Sequence, residues 1–200
     1  DILEQKIEIP IIQRDYAQGR INKQVDKIRH DFLDALFTAI QKRIASNSYE
    51  LELDFAYGFQ RNASNDNTFI PIDGQQRLTT LWLLHWFIAN KEEEEEQNLA
   101  NFMYETRYSS TIFCQELIKF KPNFDKKTIA QEIKDQSWYF ETWDYDPTIQ
   151  SMLVMLNAIE EKYINLSQTP IWKVITQDGG PFFFYKLNMD SVGLSDDLYI

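Results

Sequence analysis

The sequence predicts an α+β fold, and three patterns carry that expectation. Apolar residues recur at helical spacing over 21–44, and they alternate with polar ones over 51–59. A Leu/Trp/Phe-rich run then follows a second strand pattern at 68–72. Strand patterns gather before residue 90 and again after 180, while the stretch between them reads as helix. The expected organisation is therefore a mixed core over 1–90, a helical insertion over 91–165, and a return of the chain to the core over 166–200.

Taken in order, residues 7–12 (Ile-Glu-Ile-Pro-Ile-Ile) read as a short strand or extended entry interrupted by Pro10. Ile21, Val25, Ile28, Phe32, Leu36, Ile40 and Ile44 then mark one face of an amphipathic helix. Leu51, Leu53, Phe55, Tyr57 and Phe59 alternate with Glu52, Asp54, Ala56 and Gly58, the signature of a strand with one buried face. Asn62 to Asn67 is a polar turn, so the strand before it and the strand Thr68–Ile72 can form a hairpin. The apolar segment ending near Ala89 fits a buried helix, and Glu92–Glu96 fits a solvated helix end or loop. Helical patterns are weaker over Leu99–Phe120 and from Lys126 to about Ile133. Asp146-Pro147 is a helix start, with Asp as cap and Pro in the first turn, and Ile149, Leu153, Leu156, Ile159 and Tyr163 supply the apolar face. Gly179-Gly180-Pro181 is a turn, and Phe182–Leu187 is a strand. Ser195–Ile200 reads as a capped helix start that is expected to continue past Ile200.

Composition fits a chain that folds around its own core. Of 200 residues, 44% are hydrophobic and 14% aromatic, with only 6 Gly and 6 Pro, which excludes a disordered or collagen-like chain. The single cysteine, Cys114, excludes an internal disulfide. No apolar run approaches the roughly 20 residues needed to span a bilayer, and Asp1–Gln5 does not resemble a signal peptide. A cytoplasmic setting without membrane contact is expected. The net charge of −11 disfavours binding of bare DNA by this chain alone, because an acidic surface repels phosphate backbones. Most of that charge falls in the second half, so an anion site is expected in the first.

Two segments there could carry chemistry. In Ile70–Leu81 a strand runs through Asp73-Gly74-Gln75-Gln76-Arg77 into an apolar helix. Gly74 allows close backbone approach, N–H groups at the helix start favour an anion, and Arg77 offers bidentate contacts to phosphate oxygens. Asp73 could hold a divalent metal or position water, and Gln75 and Gln76 both donate and accept. The plainer alternative is a helix cap in which Asp73 caps and Arg77 pairs with an acid. The second segment, Pro10–Arg20, also presents a Gln-Arg pair, Gln13-Arg14, ahead of a helix. If the two preceding strands are neighbours, both pairs face one cleft. By contrast, His85 and Cys114 fit core positions, His30 lies on the polar side of a helix, and Trp138, Tyr139, Phe140 and Trp143 fit packing. None of these has metal-ligand spacing.

Ile9-Pro10-Ile11-Ile12-Gln13-Arg14-Asp15-Tyr16, taken with Asp73-Gly74-Gln75-Gln76-Arg77-Leu78-Thr79-Thr80-Leu81, resembles the N-terminal domain family of GmrSD-type restriction enzymes. The strand 54–59 and the segment 195–200 also resemble family segments, whereas the middle of the chain is more variable. In relatives the last segment runs on into an Asn-x-Arg-Gly motif that is lacking here, and Ala17 to Arg20 stand where many relatives have Tyr-x-Trp. The resemblance implies a small mixed core like those of ParB and sulfiredoxin. It implies binding of a nucleoside triphosphate with Mg²⁺, hydrolysed in some members, in defence against modified phage DNA. Nuclease activity would come from a second domain or subunit, so that DNA is reached only through the full-length protein or complex. Position by position, Gln13, Arg14, Gly74 and Arg77 would bind the nucleotide, Asp73, Gln75 and Gln76 would serve catalysis, and Asp73 would hold the metal. The alternative is a non-catalytic scaffold whose acidic helical part docks a partner subunit.

Overall fold

The computed structural model describes residues 3–11, 13–46, 49–63, 66–95, 97–125, 127–166 and 170–189. Ile12 and the expected helix start at 195–200 lie outside the described residues, as do the central turn residues 64–65.

The strands are β1 (Ile7–Ile9), β2 (Leu51–Ala63), β3 (Asp66–Pro71), β4 (Phe102–Tyr104) and β5 (Phe182–Asn188), in a sheet of order β4-β1-β3-β2-β5. β1 runs parallel to both β3 and β4, β2 pairs antiparallel with β3, and β5 runs parallel to β2. The hairpin expected from the polar turn is therefore present, with Ala63 opposite Asp66. The helices are α1 (Lys23–Ser46), α2 (Gln75–Lys91), α3 (Tyr108–Lys119), α4 (Ile129–Lys134), α5 (Pro147–Ile164) and α6 (Ile171–Thr176), with 3₁₀ turns at Gln97–Asn101 and Glu141–Tyr145. The class is α+β, as the sequence predicts.

α2 is apolar around its whole circumference, and every residue from Leu78 to Ala89 is buried, which makes it the central helix of the core. The polar groups of Thr79, Trp82, His85 and Trp86 find partners within the helix or on its neighbours. Thr79 Oγ1 donates to the Gln75 carbonyl at 2.7 Å, His85 Nδ1 meets the Leu81 carbonyl at 2.7 Å, and the Trp82 and Trp86 indole N–H groups reach the carbonyls of Leu99 and Leu117. His85 and Cys114 are thus core residues, and burial pushes the Cys114 thiol well above its ordinary range. α5 starts as expected: the Asp146 carboxylate accepts from the N–H groups of Thr148 and Ile149, with Pro147 in the first turn.

Three local expectations are corrected. The strict alternation of β2 breaks at a bulge between Glu52 and Phe55, where Asp54 takes φ +60°. Leu53 stays buried, but Ala56 and Gly58 then turn inward while Phe55 is about half exposed. On α1 the buried face is Leu33, Leu36, Phe37 and Ile40, while Ile28 and Ile44 are exposed, as is Ile21 ahead of the helix. The middle of α1 packs on α5 and α6, so apolar residues toward its ends stay in solvent. Finally, Phe102–Tyr104 is a strand, not helix, so the stretch expected as a helical insertion supplies β4 to the edge of the sheet.

Candidate functional site

Because β1, β3 and β4 are parallel neighbours, their C-terminal ends share one edge of the sheet. In open sheets that edge is where the chain turns away and leaves a crevice for ligands. β1 leads into Gln13, Arg14 and Asp15; β3 leads into Asp73–Arg77; β4 leads into Arg107, which stands at the N-cap of α3.

The two Gln-Arg segments meet. Gln75 Nε2 donates to Gln13 Oε1 at 2.9 Å across 62 residues of sequence. Gln76 clamps the backbone of the first segment, its Oε1 accepting from the Ala17 N–H at 2.8 Å and its Nε2 donating to the Asp15 carbonyl at 3.1 Å. Tyr16 is fully buried, its hydroxyl 2.7 Å from Thr80 Oγ1, and Thr80 also bonds Gln18. Burial drives the Tyr16 phenol far above its ordinary value. The backbone of Gly19 presses so closely on α5 that a Cβ there would stand 1.8 Å from the Ser151 carbonyl oxygen. Residues 15–19 are thereby fixed in place, and the Arg14 side chain projects into solvent with no partner among the described residues.

The second segment is built around Gly74, which is the N-cap of α2 with φ +88°. No side chain caps α2, so Asp73 is not its cap, contrary to one half of the plainer sequence reading. The N–H groups of the first turn have no intrahelical acceptor, and the helix starts at the end of β3. Arg77 turns the other way, toward the β2 bulge. Its two terminal nitrogens donate to the carbonyls of Leu53 (2.5 Å) and Phe55 (2.7 Å), with Asp54 at 3.7 Å and Asp73 at 3.6 Å. The pairing of Arg77 with acids, the other half of that reading, is thus present, alongside backbone contacts that no sequence pattern signals. Asp73 remains mostly exposed.

Residues that sequence reasoning passed over complete the edge. Asp15 lies between Arg107 (3.0 Å) and Arg20 (3.9 Å) and accepts from Thr148 Oγ1 at 3.4 Å. Arg107 carried no signal because β4, which places it, is only three residues long. A cavity of about 530 Å³ lies between α2, α6 and β5, lined by His85 and Phe182 among others, and includes none of the Gln-Arg residues. A groove of about 600 Å³ is lined by Arg107, Tyr108 and Tyr145 among others. Among the described residues no cluster of three or more His, Cys, Asp or Glu could hold a metal ion, and no helix is long and apolar enough to cross a membrane.

Against this geometry, a family model described as "GmrSD restriction endonuclease, N-terminal domain" matches residues 1–197. Neither the curated proteins nor the solved structures give a significant match.

Proposed function

The chain belongs to the GmrSD restriction endonuclease N-terminal domain family, and from that premise we propose that it is a nucleotide-binding module that works beside a nuclease domain or subunit. The observation that carries this reading is the Gln13–Gln75 bond, which joins two Gln-Arg segments at the ends of adjacent parallel strands. An exposed arginine, an uncapped helix start and a glycine in the left-handed region then lie along one edge, a combination suited to phosphate groups.

In this reading Arg14 and the first-turn N–H groups of α2 take the phosphate oxygens, with Gly74 letting the backbone come close. A Cβ at Gly74 would crowd Ala56 Cβ at 3.0 Å, and the φ of +88° strains any residue but glycine. Arg77 acts mainly as a latch that holds the turn against β2, a role different from the phosphate contact its place in the sequence suggests. Gln13 and Gln75 set the spacing of the two segments, while Gln76 fixes the path of residues 15–17. Asp73 is exposed, which suits a carboxylate that would join phosphates and water around Mg²⁺. There Mg²⁺ would neutralise charge on the phosphate oxygens. Hydrolysis would join a water oxygen, oriented by Asp73, to the terminal phosphorus and release the nucleoside diphosphate with the bridging oxygen.

Binding and turnover separate the parts. Arg14→Ala should lose nucleotide binding while melting like the parent. Asp73→Asn should still bind, yet release no phosphate in a colorimetric assay. If folded Arg14→Ala and Gly74→Val variants bind ATP, GTP and UTP as the parent does, the assignment fails.

The second reading, a non-catalytic scaffold, is favoured by one observation. Arg77 and Gln76 are both occupied by backbone groups of the fold. It predicts no saturable nucleotide binding with Mg²⁺ present, together with retention of a partner subunit when Arg14 is replaced.

A further inference from the structure

Beside the Gln-Arg edge lies the groove of about 600 Å³, within the range of small-molecule sites. Its walls include Tyr108, Phe140 and Tyr145, which are 83%, 57% and 89% exposed. Large aromatic side chains are seldom left so open together without a use. Its inner surface includes Trp143, which is buried and held by Phe140 and Tyr139, whose rings lie edge-on at 5.0 and 5.5 Å. Trp143 and Trp138 thus serve packing, as the sequence suggests, but Phe140 does so only in part.

Charge narrows the occupant. Among the described residues, the charged side chains that line the groove are Arg107 and Asp146. Asp146 is buried and satisfied, accepting from two N–H groups of α5 and from Ser109 Oγ. The exposed charge in the groove is therefore the guanidinium of Arg107, in a protein of net charge −11. Arg107, although paired with Asp15 at 3.0 Å, repels a cation beside it, whereas a flat ring attached to an anion can stack on the aromatic rings and meet the guanidinium.

One residue, Arg107, links the groove to the Gln-Arg edge. It lines the groove and contacts Asp15, and the carbonyl of Asp15 is held by Gln76 of the second segment. From these observations we infer that the Tyr108–Phe140–Tyr145 groove is the base-binding subsite of the nucleotide whose phosphates lie at Arg14 and Gly74, with Arg107 at the junction between base and phosphates. This rests on the nucleotide reading above and extends it to the half of the ligand that carries identity. Stacking tolerates any base, so discrimination among nucleotides would fall to polar groups at the rim such as Thr142 and Ser109.

Calorimetry with two probes tests the inference separately from its premise. ATP and sodium tripolyphosphate, each with MgCl₂, are titrated into the parent, Tyr108→Ala, Tyr145→Ala and Tyr145→Phe. The tyrosines are exposed, so the variants should fold, and their melting curves check this. The expected result is that each alanine variant weakens ATP at least about tenfold, leaves tripolyphosphate unchanged, and is rescued at position 145 by phenylalanine. ATP binding unchanged in both alanine variants overturns the groove assignment while leaving the phosphate site standing, and points instead to a protein-docking face. Equal weakening of both probes also overturns it, since the tyrosines would then not act on the base. Absence of ATP binding to the parent removes the premise and the inference together.

Discussion

The two Gln-Arg pairs look alike in sequence and behave oppositely in the structure. Each follows a strand, each precedes a helix, and the second has the stronger credentials for an anion, because a glycine and a helix start adjoin it. Yet Arg77 is the arginine turned onto backbone carbonyls, and Arg14 is the one left in solvent. The glutamines diverge too. Gln13 and Gln75 bond each other, whereas Gln76 holds backbone. A dipeptide specifies donors and acceptors, but the surrounding chain decides where they point. The bulge in β2 turns two carbonyls toward Arg77, and no described residue offers the same to Arg14.

The contrast can be broken by substitution. The largest effect is expected at Gly19, where alanine would drive a Cβ into the rigid backbone of α5. Gly19→Ala should lose about 3 kcal/mol in urea unfolding, and a loss near zero would mean that residues 15–19 are not held against α5. Arg77→Ala comes next. It leaves the carbonyls of Leu53 and Phe55 without their donor, for a loss of about 2 kcal/mol, measured the same way.

Tyr16→Phe should cost about 1 kcal/mol at neutral pH through the lost Thr80 bond, and it sharpens the comparison through pH. Burial raises the Tyr16 pKa in the folded state, so the folded protein keeps the phenol neutral where the unfolded chain ionises. The stability this gives is fully present below the unfolded value of about 10 and is lost as pH rises beyond it. Between pH 9 and 11.5, unfolding curves of the parent should therefore fall more steeply than those of Tyr16→Phe. The smallest stability effect belongs to Arg14→Ala, within about 0.5 kcal/mol of the parent, although its effect on nucleotide binding is the largest expected. A matching stability loss at Arg14 and Arg77 would erase the distinction between them.

Much of this was legible in the sequence because it rests on local chemistry. Asp146-Pro147 announces α5, the apolar run after Gly74 announces α2, and the polar turn near Asn62 announces the hairpin. The meeting of the Gln-Arg segments was legible only conditionally, since strand adjacency is a long-range property. Three features were hidden. β4 is too short for any period to show. The β2 bulge depends on a non-glycine residue, Asp54, in the left-handed region, which composition does not single out. Glu92 read as part of a solvated charge block, but its carboxylate accepts from the N–H groups of Ile171 and Trp172 at the start of α6 and from Tyr163, whose pKa burial pushes up to about 12. Each is set by a partner distant in sequence, which a window of neighbouring residues does not contain.

The central claim is that Arg14 and the start of α2 form one phosphate-binding edge. Hydrogen exchange read by mass spectrometry, with and without saturating ATP and MgCl₂, tests it by location. The account predicts slowed exchange in peptides covering residues 13–14 and 74–77, absent in Arg14→Ala. Unchanged exchange in those two segments while the nucleotide is bound would contradict it.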